Sequence, residues 1–218
     1  MITKAVCCFL CAVGCAGFAA AADEPVPDLS GVWESEAWST EAWAEEPPYT
    51  AAGRAAQETW AADPAADPSL RCLVPLGRII SAPLPHEIIQ EEDRITILYE
   101  YEHQVRRVFM DGRDHPDDAY PTLMGHSIGW WEGDTLVVDT VDVEAGLFRP
   151  QGIPYTQDLH MVERFTLLDG GTRMQGEIEI RDPEYYREPW SVTKTYRRTD
   201  EELKDYECIV REHLTPAP

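Results

Sequence analysis

MGHSIGWWEGDTLVVDT, residues 124–140, is the stretch that decides the fold. SIGWW and TLVVDT are short runs of aromatic, β-branched and apolar residues, the composition of strands. The Glu-Gly-Asp between them marks a reversal, so the segment reads as a β-hairpin. The same pattern recurs on both sides. RITILYEY (94–101) alternates Ile95, Ile97, Tyr99 and Tyr101 against Thr96, Leu98 and Glu100, the period of a half-buried strand. HQVRRVFM (103–110) follows almost at once and runs into DGRDHPDD, read as a turn. LHMVERFTLL leads through Asp-Gly-Gly into TRMQGEIEI, where Met174, Ile178 and Ile180 share one face and Gln175, Glu177 and Glu179 the other. WSVTKTYRR and YECIVREHL close the chain, and DLSGVWES opens it. TAAGRAAQETWAA (50–62) is the one convincing helix, with Thr50 as N-cap and Asp63-Pro64 as its end.

About eight to ten short strands and one helix predict an all-β fold, an antiparallel meander barrel, with a β-sandwich as the alternative. Closure removes exposed strand edges, and a barrel of about eight strands can enclose one small ligand. Gly31-Val32-Trp33 resembles the G-x-W of lipocalins, whose tryptophan plugs the barrel base.

The first residues are expected to lie outside this fold. MITK carries a positive charge, AVCCFLCAVGCAGF is apolar, and AAAA offers small-residue cleavage sites, so residues 1–22 read as a secretory signal peptide. The alternative is a lipoprotein anchored at Cys15 of AVGC. Residues 23–70 then supply the first strand, an acidic loop and the short helix, and 71–218 the barrel body, all one domain. A periplasmic or secreted location follows. No other stretch approaches the roughly 18 apolar residues of a membrane span, so an integral membrane protein is not expected. Four of the six cysteines fall in the leader, leaving Cys72 and Cys208, an even pair that reads as one disulfide in an oxidising compartment. Such a bridge closes a loop of more than about 100 residues, for which chain-entropy arguments give up to about 5 kcal/mol.

A formal charge of −22, from 40 acidic and 18 basic residues, argues against nucleic acid and anionic membrane surfaces as partners. The expected partner is a small molecule. No P-loop or dinucleotide fingerprint is present, and no H-E-x-x-H or similar spacing calls for a metal, so neither cofactor nor metal is expected. Gly125, Ser127 and Gly129 match G-x-S-x-G in letters. A nucleophile elbow needs a strand followed by a helix, and a strand follows here.

Four polar groups gather around one connection: Asp111, Arg113, His115 and His126. Arg113 and His115 are alternate positions and point the same way in an extended segment. His126, between glycines 125 and 129, sits where another strand or a ligand can approach closely. A histidine beside a carboxylate suits acid–base work, and an arginine suits an anionic oxygen. These four are the candidate catalytic residues, with His126 as acid or base, His115 and Asp111 assisting and Arg113 holding an anion. Each also has a structural reading, as turn former, ion-pair partner or hydrogen-bonded loop residue. Tyr99, Tyr101, Arg107, Trp130, Trp131, Tyr155 and His160 are the candidate ligand-binding residues. Trp130 and Trp131 must face opposite sides, as must Arg106 and Arg107. His160 shares a face with Val162 and Arg164, opposite Met161, Glu163 and Phe165.

The chain resembles a widespread family of exported bacterial proteins through DLSGVW, PYTAAGRAA, EIIQ, ITILYEYEHQVRRVF, DGRDHP, MGHSIGWWEGDTLVVDT, HMVERF and the late cysteine in YECIV. The resemblance places Asp111, Arg113, His115, His126, Trp131, Glu132 and Asp134 at the family's motif positions. Trp130 stands where an arginine is usual, and Tyr155-Thr156 where a His-Ser pair is usual, which implies a more aromatic pocket. It implies export and the barrel but no particular reaction. The expectation is therefore an exported barrel that binds a small aromatic or apolar molecule in its cavity. There it acts by cofactor-independent acid–base chemistry of lyase, isomerase or decarboxylase type. The alternative is a lipocalin-like carrier that binds without turnover.

Overall fold

The structure, a computed structural model, describes residues 26–36, 43, 45–150 and 152–206. The leader, Cys15, Cys208 and the expected last strand at 206–214 lie wholly or mostly outside the described residues.

Among the described residues nine strands close into a barrel, and two more form a small separate hairpin. They are β1 (Gly31–Ser35), β2 (His86–Gln90), β3 (Arg94–Tyr99), β4 (Val105–Phe109), β5 (His126–Glu132), β6 (Thr135–Val141), β7 (Gly146–Arg149), β8 (Gly152–Tyr155), β9 (His160–Leu168), β10 (Arg173–Arg181) and β11 (Trp190–Thr199). Around the barrel the order is β1-β11-β10-β9-β6-β5-β4-β3-β2, with β1 pairing back onto β2. The segment before residue 71 thus supplies a barrel strand and belongs to the same body as the rest. The predicted helix is present as α1 (Ala51–Ala62), with the Thr50 hydroxyl accepting the amide of Gly53. A second helix, α2 (Leu76–Ser81), is buried along its whole length.

The sheet is mixed, which corrects the antiparallel meander. β4 and β5 run parallel, joined only through Val108 with Ser127 and Phe109 with Ile128. The DGRDHP segment is therefore no hairpin turn. Residues 110–125 loop out and bring the chain back to start β5 beside the end of β4, from where it runs on in the same direction. β6 and β9 are neighbours because the β7–β8 hairpin departs between them.

Inside, period-2 alternation brings Ile88, Ile97, Val138, Met161, Ile178 and Val192 into the core. Trp33 is fully buried, donates from its indole to Leu29 O at 2.9 Å, and lies under the Arg198 guanidinium at 4.4 Å. A polar layer crosses the lumen. Arg106 is paired with Glu163 and donates to Ser127 Oγ at 3.0 Å and Thr140 Oγ1 at 2.7 Å. Burial works against the Arg106 charge, but Glu163 and Tyr99 outweigh it and hold the guanidinium firmly protonated. Lys194 donates to Ile80 O at 2.7 Å and Ala82 O at 3.0 Å, fastening the end of α2 over the barrel mouth. The space between α2 and His86, Tyr99, Glu163, Phe165, Lys194 and Tyr196 is about 20 Å³, enough for about one water. The expected ligand-sized hollow is thus absent here, because α2 and the polar layer fill it. Among the described residues no helix is long and apolar enough to cross a membrane.

Candidate functional site on the outer wall

In β5 the inward positions are Ser127, Gly129 and Trp131, so His126, Ile128 and Trp130 face outward. Gly129 answers the close approach expected of it. A Cβ there would sit 2.7 Å from Met110 Sδ and 2.8 Å from Val108 Cγ1, so the neighbour it admits is β4 and not a ligand. Gly125 takes a φ of +66°, which favours glycine and turns the crossover into β5. His126 follows directly, on the outer wall, with its ring partly covered.

The wall places a carboxylate within reach. On β6, Asp139 faces outward opposite Ile128 of β5 and Val162 of β9. His126 and His160 are thus its diagonal neighbours on the same face, close enough for long side chains to meet. His115, delivered by the crossover, fills the remaining gap. The resulting chain runs His126 Nδ1 to His115 Nδ1 at 2.8 Å, then His115 Nε2 to Asp139 Oδ1 at 3.1 Å. His160 Nε2 reaches the same Oδ1 at 2.8 Å. Burial alone would raise Asp139, but the hydrogen bonds and charges of His160 and His115 prevail, and its carboxyl stays below the ordinary value. It is ionised near neutrality and only accepts. The proton assignments follow from that. His115 and His160 donate from Nε2. In the tautomer where His115 accepts at Nδ1, His126 donates from Nδ1 and carries its own lone pair on Nε2. Burial, then the neighbouring His115 and Arg113, hold His126 below the usual histidine value, which favours its neutral ring.

Phe109 backs the His126 ring, stacked at 5.3 Å and 24°. Arg113 lies 3.9 Å over the Phe109 ring. Its Nε donates to both oxygens of Asp111, at 2.8 and 3.0 Å. The Asp-Gly-Arg turn therefore clamps Arg113 to Asp111 and braces the stack. An anion on Arg113 would have to compete with that pair. Beside His126 an open groove of about 430 Å³ is lined by Val105, Arg107, Phe109, Thr122, Leu123, Met124, Gly125 and Ser127.

All four candidate catalytic residues thus meet on this wall. The candidate ligand-binding residues do not converge. Arg107 borders the groove, and His160 joins through Asp139. Tyr99 and Trp131 point into the barrel, Arg106 rather than Arg107 being the lumenal arginine. Tyr101 packs on Tyr206 at 5.4 Å. Tyr155 is buried against Phe148 at 4.7 Å. Trp130 is exposed on the outside, donating to Glu132 Oε1 at 3.0 Å. Asp139, Phe109, Leu123 and Met124 were not read from the sequence as site residues. For Asp139 a signal existed, since it is the one charged residue in TLVVDTV and alternates out of phase with Leu136, Val138 and Thr140.

Among the described residues no group of three or more His, Cys, Asp or Glu side chains is arranged to hold a metal. The two facing Nδ1 atoms aim at each other and not at a shared point. No protein-family model matches the chain, and no curated protein matches it.

Proposed function

We propose that the chain is an exported barrel protein that binds a small aromatic or apolar molecule in the outer-wall groove and acts on it by acid–base chemistry needing no cofactor. One observation carries the reading. An imidazole bordering the groove is hydrogen-bonded in series to a second imidazole and an ionised carboxylate. In such a series, His126 Nε2 takes a proton from a C–H or O–H of the bound molecule, and the bonding pair stays on the molecule. The positive charge spreads onto His126 and His115, one step from Asp139. Returning the proton to a different atom is an isomerisation, and losing a leaving group β to the new electron pair is an elimination. His160 shares Asp139 Oδ1 with His115 and so fixes the rotamer of the carboxylate. Asp111 and Arg113 position the ring through Phe109. The apolar leader and the family resemblance support export, and with it a Cys72–Cys208 disulfide.

The test needs a ligand and an isotope. A thermal-shift screen of aromatic and branched metabolites finds binders, since a ligand of the native state alone must raise the melting point. Each binder is then incubated with protein in D₂O and followed by proton NMR. Proton abstraction appears as deuterium entering the ligand, whatever the final product. His126→Gln is expected to keep affinity within about twofold and to lose at least about 100-fold of the exchange rate. Binding with no exchange in the wild type would make the protein a carrier. Exchange unaffected by His126→Gln would remove this histidine from the chemistry.

A further inference from the structure

The groove beside His126 has a charge pattern at odds with the rest of the molecule. The chain carries 40 acidic and 18 basic residues. Most of its arginines are used against carboxylates, among them Arg54, Arg78, Arg94, Arg106, Arg113 and Arg173. Arg107 is different. It stands exposed on the outward face of β4, and among the described residues its guanidinium makes no ion pair or hydrogen bond. The groove it borders contains no Asp or Glu among its lining residues. Its walls are Val105, Phe109, Leu123 and Met124, with His126 at one end.

We propose, resting on the function argued above, that the molecule bound here is a small apolar carboxylic acid, aromatic or branched, held as the carboxylate on Arg107. A guanidinium matches the two oxygens of a carboxylate in a planar fork, the geometry that makes such pairs strong and directional. An amine finds no counter-charge in the groove. A phosphate dianion meets a single arginine on a protein of formal charge −22, whereas a monoanion needs only one. A volume of about 430 Å³ falls in the range of small-molecule sites, and apolar walls reward an aromatic or branched body. With the carboxylate on β4 and the body along Phe109 and Met124, the carbon next to the carboxylate is the one that approaches His126 Nε2. The proton removed is then an α-proton, and its electron pair delocalises into the carboxylate that Arg107 holds.

The test uses the mature protein with phenylacetate, 3-phenylpropionate and 4-methylpentanoate, each beside its neutral amide and its corresponding amine, by calorimetry and thermal shift. The acids are expected to bind about ten- to a hundredfold tighter than the amides, the span of one charge-assisted contact. Arg107→Leu is expected to bring each acid within about threefold of its amide while leaving the amide's affinity unchanged, and Arg107→Lys to restore part of the preference. The side chain is exposed, so an unchanged melting point serves as the check on folding. Amides or amines that equal or surpass the acids overturn the carboxylate assignment and leave the groove standing. Acid preference that survives Arg107→Leu overturns the role of Arg107. Failure of all three classes to bind overturns the groove itself.

Discussion

His86 shows at the level of one residue how strongly this interior perturbs its ionisable groups. It lies fully inside the barrel between Tyr99 and Tyr196, its ring edge-on to Tyr196 at 5.1 Å. Burial, with Lys194 and Arg106 nearby, lowers its pKa to about 3. The unfolded chain takes up a proton near pH 6.5 that the folded protein refuses until about pH 3, so stability falls as pH drops through that window. The slope is about 1.4 kcal/mol per pH unit, hence about 2 kcal/mol by pH 5. His86→Phe keeps the ring packing and removes the titration. Relative to wild type it is expected to gain about 2 kcal/mol between pH 7 and pH 5, read from urea midpoints. A gap that does not change with pH would mean that His86 is protonated in the folded protein. Lys194 contrasts with it. Burial, offset in part by Glu163, brings it down to about 8, yet two carbonyls of the α2 end keep it charged at neutral pH. Neither group was visible as lumenal in the sequence, because a polar residue at an inward position looks the same as one at an outward position until the register is known.

At the level of elements, the seam between β4 and β5 is the weakest join in the barrel. Two residue pairs hold it, against the nine of β9 with β10. Gly129 makes the join possible by letting Val108 and Met110 lie against the β5 backbone. Gly129→Ala forces these side chains outward and is expected to cost about 1–3 kcal/mol in urea unfolding, the range for overpacking. An alanine tolerated at no cost would mean that the seam is looser than its contacts indicate. This join also marks where the sequence stopped being readable. β3 to β6, β9, β10 and β11 were legible within a residue or two, because their alternation is a property of each segment alone. The parallel sense of β4 and β5 was not, since a connection's composition does not state which end of the barrel it returns to. β7, β8 and α2 were missed for a related reason. They are short, and burial on several sides removes the alternation that would announce them. Of the site, His126 and His115 were legible as residues. Their partnership with Asp139 and His160 was not, because it depends on the cross-strand register of three strands and on where the crossover lays His115.

At the level of the whole molecule, the formal charge of −22 must be reconciled with a compact fold. Exposed pairs such as Arg197 with Glu34 and Arg94 with Glu91 recover little, since each contributes at most about 1 kcal/mol in water. The remaining carboxylates repel one another over distances set by the ionic strength. At 10 mM salt the screening length is about 30 Å, most of the roughly 40 Å width of a domain of this size, so like pairs across much of the surface contribute. At 150 mM it is about 8 Å, and only neighbours do. Added salt weakens the few attractive pairs as well, but they are outnumbered. The expected result is therefore a gain, on the order of 1–2 kcal/mol between these conditions. That corresponds to a melting point higher by about 2–8 °C for a chain of this length. Calorimetry in sodium chloride at pH 7, repeated at pH 4.5 where many exposed carboxylates are neutral, checks the cause. The salt-induced rise should shrink at the lower pH. A melting point that falls with salt at pH 7 would show that the ion pairs outweigh the net repulsion, and that the excess acidity is arranged rather than merely tolerated.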